Sequence, residues 1–192
     1  RGILNSYGVL ALNPPNIWSR SHNYHHKYNS QIYSASIGSF PIMTKKDYLA
    51  ADWKTRAKYL AARHPLTIVT GYVTIFILGM CGSSFLKDPR RHWDSLLALI
   101  VHAAILTWVS QYGFEALFLW VLWPLGLACL GGGYLFYIQH NFPDMKLKGR
   151  EDWDYLFAAL FSSSYMTGGP IFHWFTGNIG YHHVHHLNSR IP

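Results

Sequence analysis

Charge is what this sequence has least of. Only 13% of its 192 residues are Asp, Glu, Lys or Arg, about half the share of an ordinary soluble domain. The acids are Asp47, Asp52, Asp88, Asp94, Glu115, Asp144, Glu151, Asp152 and Asp154. None stands in the Glu-x-x-His pair of ferritin-like diiron sites or in the HExxH pair of zinc proteases, so both chemistries are disfavoured. Ser-His-Asp hydrolysis lacks a GxSxG elbow, and no phosphate-cradling glycine loop occurs. The two cysteines, Cys81 and Cys129, lie in apolar stretches without CxxC spacing. They read as small core or lipid-facing side chains rather than as a disulfide or a zinc pair. Internal repeats and low-complexity tracts are also absent.

Half of the residues are apolar and 17% are aromatic. The net charge of +7 arises from 16 Lys and Arg against nine acids, placed mostly beside apolar stretches. A membrane surface fits that placement better than nucleic acid, for which no binding motif is present. Residues 1 to 20, with Gly2, Asn13, Pro14 and Pro15, read as a loop or short interfacial pieces. From Thr44 a capping pattern with Asp47 opens a helix in which Leu49, Trp53, Ala57 and Leu60 recur on one side and Lys54, Arg56, Lys58 and Arg63 occupy others, as in a helix lying on a membrane.

Three apolar stretches follow, Leu66 to Leu86, Ser95 to Ser110 and Phe114 to Ile138. About 20 helical residues cross a bilayer core. The loop Lys87 to His92 carries three Lys or Arg and the connection 111 to 113 none, which puts the former on the cytoplasmic side. A membrane hairpin over 95 to 138 is therefore expected, with Leu66 to Leu86, interrupted by Gly71, Gly79 and Gly82, dipping into the membrane or packing along it. Residues 151 to 164 read as an amphipathic helix through Trp153, Leu156, Phe157, Leu160 and Phe161. Gly168, Gly169 and Pro170 end it. The expected class is an all-α integral membrane protein, a transmembrane hairpin with a cytoplasmic helical cap bearing the histidines.

The chemistry lies in two copies of HxxHH: His22, His25 and His26, then His182, His185 and His186. On a helix, positions i, i+3 and i+4 fall within an arc of about 100°, so each triplet projects to one side. Imidazole suits iron, copper, nickel and zinc, and six nitrogens exceed what one tetrahedral zinc accepts. The surplus argues for two metals or two separate sites. A lone histidine is more often a satisfied core residue. His64 and His92 read as interfacial and loop residues, His173 is a weaker candidate for a supporting place near the site, and His102 is expected to hydrogen-bond across the hairpin.

At SHNYHHKYN, YLFYIQHNF and GNIGYHHVHHLNSRIP the chain resembles the membrane fatty acid desaturases of the bacterial acyl-lipid type, over nearly its whole length. The resemblance implies two irons held by histidine alone: the second box is His22, His25 and His26, the third is His182, His185 and His186, and His140 in QHNF matches an additional ligand. No catalytic residue separate from the ligands is implied. His183, a neighbour on the same helix, is expected to stand behind the ligands rather than among them, and Asn178, one turn before the box, is placed to bond a ligand or a metal-bound water, a plain turn role being an equal alternative. The first box, HxxxH or a variant, would lie upstream of residue 1. Residues 1–192 are thus expected to be a partial desaturase domain, inactive alone.

The implied reaction uses dioxygen and two electrons, from a ferredoxin or cytochrome b5-type donor docking on basic cytoplasmic loops, to leave a cis double bond in an acyl chain of a membrane lipid. The implied location is a multi-pass place in a membrane, the bacterial inner membrane, with the boxes on the cytoplasmic side. Aromatic residues around 134 to 142 and 172 to 181 are candidate tunnel walls. A hydroxylase or ketolase on the same scaffold and a non-catalytic membrane metal or haem binder are the rival readings.

Overall fold

The structure, a computed structural model, describes residues 2–32 and 40–191. Among them it is helical, with one isolated parallel bridge between Gln31 and Lys148. The chain divides into two compact units, residues 1–21 with 60–134 and residues 22–59 with 135–192.

The first unit opens with α1 (Gly2–Leu10) and the start of α2 (Pro15–Lys27). A loop or short interfacial pieces are the expectation here, and no long periodic element. Instead Asn13 returns its N–H to Gly8 O at 2.7 Å to close α1, and Pro15 takes the first-turn position of α2, where its missing N–H costs nothing. The Leu66 to Leu86 stretch is not one helix but three pieces: α5 (Pro65–Val69), a π-helix (Tyr72–Ser83) and α6 (Ser84–Lys87). Thr70 and Thr74 return their hydroxyls to the carbonyls of Leu66, Thr67 and Thr70, competing with the ordinary helical ladder where the wider turns begin. Gly71 permits close approach, since a Cβ there would stand 3.3 Å from Cys129 O.

Then come α7 (Trp93–Ser110) and a 26-residue helical run, Phe114–Gln139, comprising α8 (Phe114–Leu117), a π turn (Phe118–Leu122) and α9 (Trp123–Gln139). At 1.5 Å per residue these reach about 27 and 39 Å, the first just under a hydrocarbon core of about 30 Å but above the roughly 17-residue minimum for a crossing, the second beyond it. A soluble core helix of such composition would be hidden. Here only 28% and 11% of the two apolar windows are buried, and Ile100, Trp108, Leu119, Trp120 and Leu127 stand exposed. Both helices are thus long and apolar enough to cross a membrane, and they form the hairpin expected over 95 to 138. The core of this unit gathers Leu12, Cys81 and Ala98, with Phe76, Ile77 and Leu99 against them. His102 pairs with the Tyr72 hydroxyl of the π-helix, not across the hairpin as expected.

In the second unit the expected single helix from Thr44 is two, α3 (Lys45–Ala50) and α4 (Trp53–Arg63). Thr44 caps α3 through Asp47 N–H at 3.1 Å, but Asp52 Oδ1 accepts Thr55 N–H at 2.7 Å and starts a new helix, so the backbone turns between them. The helix expected over 151 to 164 is confined to α10 (Tyr155–Phe161), capped by Asp154. It stops there because Ser162, Ser163 and Ser164 take partners elsewhere: Ser162 Oγ donates to Lys146 O and Ser164 N–H to Gln139 O at 3.0 Å. Pro170 does not merely break structure but begins α11 (Pro170–Phe175), followed by a 3-10 turn (Ile179–Tyr181) and α12 (His182–Leu187).

Candidate metal centre

Seven histidines of the second unit turn their Nε2 atoms toward one another. His25, His140, His182 and His186 form one buried group, and His22, His26 and His185 a second. Among the described residues no Asp, Glu or Cys joins either group. Every residue carried into the metal role, three from each box plus His140, is present in this convergence. It is assembled from α2, the residue following α9, and α12.

The boxes do not map one to one onto the groups. At 100° per residue, positions i and i+4 stand about 40° apart, whereas i+3 lies about 60° from i on the other side and about 100° from i+4. Each box accordingly splits. His22 and His26 face the group of three while His25 enters the group of four; His182 and His186 face the group of four while His185 enters the group of three. A single shared site per box, one of the arrangements the spacing allowed, is not what forms. The groups adjoin, with the rings of His26 and His186 stacked at 4.3 Å between centroids.

The Nε2 separations are 2.9 Å for His25–His140 and His140–His182, 3.1 Å for His182–His186 and 3.2 Å for His140–His186. In the other group they are 3.0, 3.3 and 3.4 Å. Two nitrogens bonded to one ion at about 2.1 Å stand about 3.0 Å apart at a right angle and about 3.4 Å at the tetrahedral angle. Five of the seven observed spacings fall in that interval and the other two lie about 0.1 Å below it. Tautomers point the same way. His140 Nδ1 donates to Ser162 O at 3.0 Å and His185 Nδ1 to Ile191 O, which leaves both Nε2 atoms with a bare lone pair. His140 Nε2 then meets three other Nε2 atoms. One lone pair cannot serve three hydrogen-bond donors, but a cation can gather all four nitrogens. The donor set therefore fits a metal.

Burial favours the neutral imidazole, as ligation requires, in His22, His25, His26, His140, His182 and His186. Burial, reinforced by neighbouring histidines, pushes His22 and His140 down to about 4, His26 to about 3 and His182 to about 2. For His140 the bond to Ser162 O opposes part of that fall. His25 and His186 are lowered as well, by the same causes.

His183 does not enter either group. Its ring meets Tyr165 edge-on at 5.7 Å and borders a cleft of about 530 Å³ with Phe142, Leu160, Phe161 and Tyr181. Two of the expected aromatic wall residues, Phe142 and Tyr181, line it. Asn178 sits at φ 62° and starts the 3-10 turn that leads into α12, its N–H bonding His173 O at 2.8 Å. Its observed contacts are those of a turn. Gly180 is required before the box, because a Cβ there would lie 2.5 Å from Met166 O. His173 stacks on Tyr181. His92, expected in a loop, is buried at the start of α7, and His64 caps α5 through Leu66 N–H at 3.2 Å.

Three supporting residues were not singled out from the sequence. Ser162 supplies the carbonyl for His140, the Tyr155 hydroxyl donates to His186 O, and Asn29 ties the end of α2 to α10 through Ala158 O and Ser163 Oγ. Asn29 stood in the quoted motif SHNYHHKYN, and three consecutive serines after an apolar helix were the other available signal.

A family model described as fatty acid desaturase matches residues 1–192. Among curated proteins the chain is similar to "Fatty acid desaturase" of Bacillus subtilis (strain 168), with 32% identity over 191 residues covering 96% of this chain. That alignment covers 53% of the relative, so the chain spans about half the length of the curated protein it matches. No solved structure matches. With the family model spanning the full sequence and the histidine groups assembled from its motifs, the chain belongs to the fatty acid desaturase family.

Proposed function

We propose that this chain carries the metal-holding part of a membrane enzyme that uses dioxygen to place a cis double bond in the acyl chain of a membrane lipid. The observation that carries the reading is the set of seven imidazoles gathered into adjoining groups of four and three, each spaced for one ion. His25, His140, His182 and His186 hold one iron in this reading, and His22, His26 and His185 the other. An unactivated methylene offers no acidic proton, and the bound irons supply the dioxygen-derived oxidant that its C–H bonds demand. One CH2–CH2 unit, one dioxygen, two electrons and two protons enter; one CH=CH unit and two waters leave. The electrons come from a ferredoxin or cytochrome b5-type donor.

The chain's own residues do the positioning. Ser162 O and Ile191 O fix the tautomer and ring direction of His140 and His185, leaving Nε2 free to bind. Burial of His25, His140, His182 and His186 keeps bulk water from the group of four, which suppresses side reactions of the oxidant. The cleft beside His183, one chain position from His182, is lined by Phe142, Leu160 and Phe161 together with Asp144 and Ser163, and its apolar side offers a surface for an acyl chain. We place the protein in the membrane as a multi-pass protein with the histidines on the cytoplasmic side, in keeping with the basic loop Lys87 to His92.

The test is expression of the full-length protein in a desaturase-deficient host with analysis of its lipids. New double bonds are expected, and His25→Ala or His185→Ala abolishes them. An unchanged lipid profile from a folded, iron-loaded protein refutes the reading. Hydroxylated or keto products move it to the sister chemistry, and a haem Soret band without dioxygen consumption moves it to a carrier.

A further inference from the structure

We propose that α3 and α4 form a docking surface for the anionic headgroups of membrane phospholipids. Between Thr44 and Arg63 the sequence places six basic residues against two acids. Both acids are engaged at helix starts, Asp47 with Thr44 and Asp52 with Thr55. The corner between the helices is pinned from within. Arg56 donates through Nε to Ala51 O at 2.9 Å and through Nη2 to Leu49 O at 2.8 Å, and its guanidinium lies over the Tyr48 ring. Tyr59 packs on Tyr48 with ring centroids 5.7 Å apart. Arg56 and Tyr59 therefore mark the inward side of α4.

The opposite side is built unlike a solvated helix face. Going round α4 at 100° per residue, an arc of about 160° runs from Leu60 through Trp53, Ala57 and Ala61 to Lys54 and Lys58, centred about 180° from Tyr59. Trp53 is 73% exposed and Leu49, at the end of α3, 59%. Lys45, Lys46, Lys54 and Lys58 are exposed beside them, and the Lys54 ammonium borders the Trp53 ring at 5.7 Å from its centroid. Exposed indole and leucine flanked by lysines match a lipid interface on both counts. The apolar side chains enter the acyl boundary, while lysine stems lie along it and their ammonium groups reach phosphate and other anionic headgroups. A neutral bilayer would satisfy Trp53 and Leu49 but offer no counter-charge to Lys45, Lys46 and Lys54, and none to Lys58 beyond its attraction to Asp52, so the charge selects anionic lipid as the occupant. Arg56, spent on backbone carbonyls, takes no part. Each lysine near an anionic surface shifts the bound-to-free ratio about fivefold.

The full chain in nanodiscs of phosphatidylcholine alone, or with one third phosphatidylglycerol, tests this by amide hydrogen exchange. Exchange through residues 45 to 61 should slow in the anionic discs and recover as salt is raised, a measurement that needs no variant. Lys54→Glu with Lys58→Glu should remove the lipid-dependent gain, by at least about twentyfold if fully expressed, while Lys54→Arg with Lys58→Arg preserves it. Exchange in α2 and α12 should be the same in all forms. Equal exchange in both lipids, a gain that survives charge reversal, or protection that appears only on adding an acidic redox protein would each overturn the proposal. The readout is independent of desaturation, so it can fail or succeed separately from the catalytic reading.

Discussion

Asn29 is the residue whose removal most directly loosens the histidine groups without touching a candidate ligand. It lies three positions after His26 and is 2% exposed. Its Nδ2 donates to Ala158 O at 3.2 Å and to Ser163 Oγ at 2.9 Å, its Oδ1 accepts from Ser30, and its main-chain carbonyl accepts Trp153 Nε1–H at 2.8 Å. The segment it grips also presents Ser162 O to His140. Asn29→Ala deletes both donations and the acceptance from Ser30, whose hydroxyl keeps Ser162 O at 3.4 Å, but spares the tryptophan bond, which is to backbone. Ala158 O keeps its helical partner, Ser162 N–H at 3.0 Å, so no carbonyl is stranded. The loss is then mainly that of the two buried donations, about 1–3 kcal/mol together. Asn29→Asp should be worse, because a carboxylate there faces a carbonyl it cannot donate to, in a site that excludes water. Denaturation of the purified full-length protein in detergent, with iron retention followed in parallel, is the assay. The expected order of stability is Asn, then Ala, then Asp, with iron lost earlier in each variant. An Ala variant within about 0.5 kcal/mol of the parent, or an Asp variant equal to it, would refute the role assigned to this contact.

Three further outcomes follow from the same geometry. Because burial holds His22 and His140 near 4, below the unfolded value of about 6.5, the unfolded chain binds more protons in that window. The metal-free protein should keep its full stability above pH 6.5 and lose it progressively as pH falls toward 4, monitored by unfolding at fixed denaturant; stability that rises on acidification contradicts this. Tyr72→Phe and His102→Leu should each destabilise by about 1 kcal/mol and the pair by less than the sum, since either change alone removes the same bond; additive losses would deny the pairing. His183→Ala should leave metal content unchanged, because its ring meets Tyr165 rather than either histidine group; loss of an ion by elemental analysis would place it among the ligands.

The sequence carried the local half of this organisation well. HxxHH spacing dictates that three imidazoles leave one side of a helix, and the apolar content of 95 to 138 dictates a hairpin of membrane-crossing length. What it could not reveal was which imidazole joins which group. That depends on a 40° against a 60° or 100° separation once α2 and α12 face each other, a tertiary fact. His140 became visible only because QHNF resembles the place of an additional ligand in the desaturase family, since a single histidine has no periodicity. The helix from Thr44 read as one because Trp53, Ala57 and Leu60 keep step with Leu49, and the Asx cap at Asp52 that divides it is a local hydrogen bond outweighing apolar spacing. At α10 the serines ended the helix early by bonding to Lys146 and Gln139, partners distant in sequence. His102 found Tyr72 instead of the neighbouring hairpin arm because an apolar stretch gives no sign of which helix will flank it.

Elemental analysis of the intact protein, combined with X-ray absorption at the metal edge, reads the two histidine groups directly. Two irons per chain are expected, with a nitrogen shell near 2.1 Å and no sulfur shell near 2.3 Å. Natively purified, folded protein with no stoichiometric metal, with one ion only, or with sulfur scattering would contradict the assignment of seven imidazoles to a pair of irons.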